Sequence, residues 1–386
     1  MPTVLAALPV RLDPPPRLLC GPGPSNVAPP VLAAMQRPML GHLDPGYHGI
    51  LDDVTAMLRA AFGARDGLAI ALQATGSSGM EAALSNLLEP GDTTIVAVNG
   101  FFGRRMAAMA RRHGAQVVEV EAGWGEAVSN DALLAAHDRH PRARLIGVVH
   151  GETSTGVEHP LAELGAALRD RDTDTLLLAD CVTTLGGVAL DVAEWNVDVA
   201  YSCTQKCLGA PPGLSPLVVS ERAMARVRAR TVPVPFSLDL QLLEAYWVTR
   251  PTTYHHTAPV LMVYALHEAL RLVLQEGLAE RWRRHEDAGA HLRRALAHRG
   301  LSLIADPDHQ LAPLAAVHVP DGVDGRRVQE RMLREHGIEI GGGLGPQAPP
   351  MWRIGLMGEN ATTEIADRVT AALDAVLERE IAPAAA

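Results

Sequence analysis

Short apolar runs alternate with helix-spaced segments through the first part of this chain. The runs are Thr93–Asn99, Gln116–Glu121, Leu145–His150, Leu176–Asp180, Val197–Thr204 and Leu214–Val219. A strand that is apolar at nearly every position is buried on both faces, and strands joined through helices run parallel. The pattern predicts an α/β fold, a mostly parallel sheet covered by helices on both faces. In such sheets ligands collect at the carboxyl ends of the strands. Beyond about Thr257 the pattern changes. Two long amphipathic helices are expected over Pro259–Glu276 and Leu278–His298, then shorter strands near Ala315–Val319 and Met351–Leu356 and a closing helix over Thr363–Glu378. The expected organisation is an N-terminal arm (1–20), a large α/β domain (21–257) and a smaller C-terminal α+β domain (258–386). At 386 residues and 47% hydrophobic, the chain can bury a core of that extent.

Lys206 is the only lysine, although Lys and Arg together number 34. Arginine replaces lysine in solvation and ion pairing, but it keeps its proton near neutral pH and cannot attack a carbonyl to form a Schiff base. A chance remnant would be expected on the surface, where lysine usually lies. Lys206 instead closes the run Val197-Asp-Val-Ala-Tyr-Ser-Cys-Thr-Gln-Lys206, which reads as a buried strand ending at the lysine, before the turn Gly209-Ala-Pro-Pro-Gly213. Asp180 ends the apolar run Leu176-Leu-Leu-Ala-Asp180 in the same way. An amine and a carboxylate on two such strand ends suit pyridoxal 5'-phosphate (PLP), with the lysine on its aldehyde and the acid on its pyridinium nitrogen. Upstream, the strand-like Leu68-Ala-Ile-Ala-Leu72 leads through Thr75-Gly-Ser-Ser-Gly79 into a helix. Alone, that segment reads as an ordinary Ser/Thr cap. Together with Lys206 and Asp180 it reads as a phosphate cradle, where backbone N–H groups and the helix dipole face an anion.

Several longer motifs share this order: Gly21-Pro-Gly-Pro-Ser-Asn26, Leu88-Glu-Pro-Gly-Asp92, His150-Gly-Glu-Thr-Ser-Thr-Gly156, Ser202-Cys-Thr-Gln-Lys206, Ala210-Pro-Pro-Gly213, Tyr254-His-His-Thr257 and Arg353-Ile-Gly-Leu356. On these the chain resembles the class V aminotransferases of the PLP fold-type-I superfamily, in particular the alanine–glyoxylate and serine–pyruvate type, from about Leu19 to about Leu377. The resemblance implies a large domain with a seven-stranded type of sheet, a smaller C-terminal domain and a homodimer with shared active sites. It implies that Lys206 carries the cofactor and shuttles the proton, and that Asp180 keeps the pyridinium protonated. Val182 and Phe102 would cover the two ring faces. Thr75, Gly76, Ser77 and Gln205 would bind phosphate, joined by Tyr254 and Thr257 from the partner subunit. Thr153 would approach the cofactor's 3′-oxygen and the substrate. Gly23 and Ser25 would line the substrate side, and Arg353 would grip the substrate carboxylate through its bidentate fork. Two departures stand out. The animal enzymes carry Gly-His where this chain has Gly76-Ser77, and Phe102 replaces the usual Trp.

The activity so implied is transfer of an amino group from a small L-amino acid, alanine or serine, to glyoxylate or pyruvate. The absence of a second arginine assignable to a distal carboxylate favours small substrates. Two alternatives stay open: a transaminase for another small donor, of the aminoethylphosphonate or ureidoglycine type, and a PLP-dependent lyase resembling the cysteine desulfurases. The net charge of −10 argues against a nucleic-acid partner. No metal is expected, because His255 and His256 are adjacent and lack a suitably spaced third ligand. Four irregularly spaced cysteines suggest a reducing compartment, so a cytoplasmic location is expected. Met1–Val10 lacks a basic flank and is too short to cross a membrane, and the Ala382–Ala386 tail does not read as a targeting signal. The glycines of Gly341-Gly-Gly-Leu-Gly-Pro346 imply close backbone approach next to Arg353.

Overall fold

Seven strands make the central sheet: β1 (Leu68–Leu72), β2 (Thr93–Val98), β3 (Gln116–Glu121), β4 (Leu145–Val149), β5 (Leu176–Asp180), β6 (Val199–Tyr201) and β7 (Ser215–Val219). The computed structural model describes residues 11–171 and 173–381, so the readings of Met1–Val10 and Ala382–Ala386 lie outside the described residues. Across the sheet the order is β1-β7-β6-β5-β4-β2-β3. Neighbours from β6 to β3 pair in parallel, and β7 alone runs against both of its neighbours. Every residue of β1, β4, β5, β6 and β7 is buried, which is why these segments are apolar throughout rather than alternating.

The helices that cover the sheet have local causes. Helix α1 (Pro45–Phe62) starts where Asp44 accepts a hydrogen bond from Gly46 N and Pro45 takes the first helical position, and it stops at Gly63 in the left-handed region (φ 70°). Its buried residues Tyr47, Leu51, Val54, Leu58 and Phe62 form one stripe facing the core. Helices α2 (Gly76–Leu87) and α3 (Phe101–Arg112) follow β1 and β2 directly. Helix α4 (Leu161–Asp170) sits so close to its neighbour that a methyl at Gly165 would collide with the Trp195 carbonyl.

A second core lies around the sheet of β8 (Leu314–His318), β9 (Gly341–Gly342) and β10 (Met351–Gly355), ordered β8-β10-β9. Helix α5 (Val260–Glu276) puts Val263, Leu266, Leu270 and Val273 into the first core, whereas α6 (Leu278–His298) carries Leu292 and Leu296 into the second. Closing helix α7 (Thr363–Ile381) adds Val369, Leu373 and Val376 there. Leu18–Leu19 pair in parallel with Ile338–Glu339, so the chain enters beside the second core before crossing to the first.

The strand expected over Val197–Thr204 is shorter than its apolar run. It ends at Tyr201, and Lys206 lies in the loop beyond it. That loop is packed as tightly as the strand: Cys203, Thr204, Cys207 and Leu208 are buried, and Thr204 Oγ1 donates to the Pro211 carbonyl at 2.6 Å. Burial makes the segment apolar without making it extended. Gly165→Ala is expected to lower the apparent Tm, since forcing a methyl into a packed contact costs about 1–3 kcal/mol. A melting curve no different from wild type would contradict the close packing of α4.

Candidate active site

Every strand of the sheet except β7 points the same way, and the candidate residues lie at or just beyond the carboxyl ends of β1, β2, β4, β5 and β6. Thr75, Gly76, Ser77, Phe102, Thr153, Asp180, Val182, Gln205 and Lys206 line a single cavity there, together with Met80, Arg105 and Cys203. Gly23 adjoins it, since a methyl at this position (φ 99°) would lie 2.5 Å from Lys206 Nζ. Only glycine leaves the amine room.

Lys206 is partly buried at the wall of the cavity, with its amine donating to the Pro22 carbonyl. Burial disfavours the charged form and holds this amine below its ordinary range. Ser25 is buried beside it, but its hydroxyl does not face the cavity freely. Its N–H donates to the Gln205 carbonyl at 2.8 Å and its Oγ to the Lys206 carbonyl at 2.9 Å, so Ser25 anchors the lysine loop.

Asp180 is 3% exposed. Its Oδ1 accepts from Val182 N at 2.9 Å and its Oδ2 from the Tyr201 hydroxyl at 2.7 Å. Burial pushes the carboxyl up to about 6, while those two donors and Lys206 pull the other way. Tyr201 stands directly opposite Asp180 in the β5–β6 register. The sequence reading missed it, although its place on the strand leading to the lysine was a usable signal.

The phosphate end decides between a ligand cradle and an ordinary cap. Thr75 occupies the N-cap of α2 but makes no side-chain cap hydrogen bond. The first helical bonds come from Ser78 and Gly79 N–H to the Thr75 carbonyl, which leaves the N–H groups of Gly76 and Ser77 for another acceptor. A methyl on Gly76 would lie 2.9 Å from Val182 Cγ2, so glycine lets the backbone approach. Gln205 Oε1 is buried without a hydrogen-bond partner. These features fit a bound phosphate monoester.

Arg353 comes from the middle strand of the second sheet and is 7% exposed. Its Nε donates to the Gly342 carbonyl at 2.6 Å and a terminal nitrogen to the Thr153 carbonyl at 3.3 Å. Among the described residues no carboxylate lies within ion-pair distance of it, and burial pulls the guanidinium down to about 10, still charged at neutral pH. A buried cation with unused donors suits a carboxylate. Gly341 packs its backbone on Pro22, the close approach that the glycine-rich stretch implied.

Tyr254 and Thr257 do not line this cavity, and both are exposed, Tyr254 at 59%. His255 and His256 contact each other through their Nδ1 atoms at 2.5 Å, and no group of three or more metal-type ligands forms among the described residues.

Glu152 was also missed. It is fully buried, and its Oε2 accepts from Phe102 N at 2.9 Å and Gly103 N at 3.2 Å. Its Oε1 accepts from Ser154 N at 3.0 Å and Ser154 Oγ at 2.6 Å. Burial lifts this carboxyl above the ordinary range, yet all four facing groups are donors, which suits the ionised form. Glu152 thus caps α3 from a different segment and sets the position of Phe102.

Residues 21–370 match the family model described as aminotransferase class-V. An alanine–glyoxylate aminotransferase of Drosophila melanogaster is 39% identical over 94% of this chain and 93% of its own length. The crystal structure of an alanine–glyoxylate aminotransferase from Nostoc sp. superposes with TM-score 0.92 at 45% identity, covering 96% of this chain and 98% of that one. That of a ureidoglycine–glyoxylate aminotransferase from Bacillus subtilis gives TM-score 0.93 at 37% identity, over 98% and 97%. A mostly parallel sheet with a lysine, a carboxylate and an anion cradle at one edge is the arrangement of a PLP-type transferase. The chain belongs to the class V aminotransferase family.

Glu152→Gln places an amide N–H₂ against N–H or O–H donors on one side. The expected result is a stability loss of about 1–3 kcal/mol in thermal or denaturant unfolding. Unchanged stability would show that α3 does not depend on this cap.

Proposed function

We propose that this protein is a PLP-dependent aminotransferase that moves an amino group from a small L-amino acid, alanine or serine, to glyoxylate or pyruvate through a Schiff base at Lys206. One observation carries the reading: the sole lysine of the chain is drawn partly out of water, held below its usual pKa by desolvation, in a cavity shared with Asp180 and an uncapped helix N-terminus. The names of the alanine–glyoxylate relatives support alanine as donor and glyoxylate as acceptor.

In this reading PLP is held through its phosphate by Gly76 and Ser77 N–H, Thr75, Ser77 Oγ and Gln205, and through its ring by Val182, Phe102 and Asp180. Bound PLP supplies an aldehyde to carry the amino group and a ring that accepts the electron pair released at the substrate Cα. Asp180 stays ionised against a protonated ring nitrogen, and Tyr201 and Val182 N–H hold its two oxygens in place. Arg353 fixes the substrate carboxylate. Lys206 Nζ, whose charged form desolvation disfavours, takes the Cα proton and returns it on the other side of the transfer. Thr153 orients at the cofactor's oxygen, and Gly23 keeps the path of the amine open. Tyr254 and Thr257 act in the partner's cavity of a homodimer, which their exposure and their absence from the lining of their own cavity support. The three-part division 1–20, 21–257 and 258–386 belongs to the same proposal, as does a cytoplasmic location, with four free thiols suited to a reducing compartment. Among the described residues no helix is long and apolar enough to cross a membrane.

The ureidoglycine–glyoxylate relative keeps a second donor in view. A desulfurase-like lyase is disfavoured by its chemistry: all four cysteines are buried, and desolvation pushes Cys20, Cys203 and Cys207 up to about 12 and Cys181 higher still.

The visible spectrum of the PLP-loaded protein should change on adding L-alanine and return on adding glyoxylate, and Lys206→Ala should lose that cycle. A spectrum that ignores alanine but answers ureidoglycine would move the donor, and one that answers neither would overturn transamination. Borohydride treatment of the loaded protein should fix the cofactor at Lys206 alone in peptide mapping. In the cofactor-free protein, the depressed pKa leaves more Lys206 unprotonated at neutral pH than an ordinary lysine. Its acylation rate should therefore level off with rising pH at a midpoint below 10.5. A midpoint at or above that value would contradict desolvation.

A further inference from the structure

The cavity contains an arginine that the reading so far leaves without a task. Arg105 lies on α3 and lines the cavity with Ser77, Phe102, Asp180 and Lys206. Two other arginines of this helix are paired at the surface, Arg104 with Glu121 and Arg111 with Glu119. Arg105 has no carboxylate within ion-pair distance among the described residues. Its guanidinium carbon lies 4.9 Å from the centroid of the Phe101 ring and 5.0 Å from that of Phe102, which fixes its direction by cation–π contact. From there one terminal nitrogen donates to Ser77 Oγ at 2.8 Å.

That single hydrogen bond has two consequences. Ser77 Oγ accepts from Arg105, so the hydroxyl's own proton is free to donate elsewhere, and the nearby acceptor site is the one faced by Gly76 and Ser77 N–H. Among the described residues Arg105 also spends only one of its five N–H donors, leaving a cation with unused donors beside the uncapped end of α2. Charge, donors and dipole all converge on one small volume, and each favours a doubly charged anion.

We infer that Arg105 is a direct ligand of the cofactor's phosphate monoester and orients Ser77 as a second donor to it. The inference rests on the PLP reading above. It also amends the expectation of small substrates: besides Arg353 there is a further arginine at the site, Arg105 in the cavity lining, but it is tied to the phosphate end and not to a distal substrate carboxylate.

The test uses the full-length cofactor-free protein and two probes, PLP and pyridoxal, which differ only in the phosphate. Binding is followed by the change in visible absorbance and by quenching of tryptophan fluorescence. Arg105→Met keeps the stem over the phenylalanine rings and removes the charge. It is expected to weaken PLP binding roughly ten- to a hundredfold, the range for a lost charged hydrogen bond, with pyridoxal binding unchanged. Arg105→Lys should recover part of the loss, and Ser77→Ala should weaken PLP by a smaller factor. Unfolding curves of the variants establish that each folds. Equal loss for both probes would make Arg105 a support for the ring site and overturn the assignment. Unchanged PLP binding with altered selectivity for dicarboxylic 2-oxo acids would place Arg105 at the substrate and overturn it too. A wild-type protein that binds neither probe would overturn the cofactor reading itself, an outcome separable from the other two.

Discussion

The segment from Leu18 to Asn26 ties the two cores to the lysine, and the site depends on it. Leu18–Leu19 pair beside the second core, and the Cys20 carbonyl accepts from Gly355 N at 2.8 Å, two residues beyond Arg353 on the same strand. Asn26 Oδ1 accepts from Leu19 N at 2.8 Å and from Asn360 Nδ2 at 2.7 Å. Ser25 then bonds twice to the backbone of Gln205 and Lys206. One short stretch thus fixes the distance between the amine on one core and the guanidinium on the other. Misplacement of reacting groups by even an ångström is costly to catalysis, so this tie belongs to the chemistry as well as to the fold.

Burial does the electrostatic work. The same desolvation lowers Lys206, lowers Arg353 and raises Asp180, moving each towards neutrality. A substrate carboxylate, a protonated ring nitrogen and a phosphate would each meet a group that is short of a partner. Glu152 is the exception, because its four donors are already in place, and its role is to hold α3 and Phe102.

Much of the fold was legible because both-face burial writes itself into continuous apolar runs. The same signal misjudged the strand before Lys206, since a buried loop and a buried strand have equal reason to be apolar. Among site residues, Lys206 and Asp180 were visible through uniqueness and position. Arg105, Tyr201 and Glu152 were not, because what singles them out is a partner far away in sequence: Ser77, Asp180 and the first turn of α3.

By itself the sequence determined the alternation of strands and helices, the single lysine and the motifs that mark a class V aminotransferase. These are local or compositional, and a period or a lone residue type can be read without coordinates. Tertiary structure alone decided that Thr75 leaves its helix uncapped, that Ser25 serves the lysine loop, and that Arg105 donates to Ser77 while Arg353, from the second sheet, donates to the Gly342 and Thr153 carbonyls. Each is a matter of which donor meets which acceptor across the fold, and such pairings are set by packing between segments that no local pattern records.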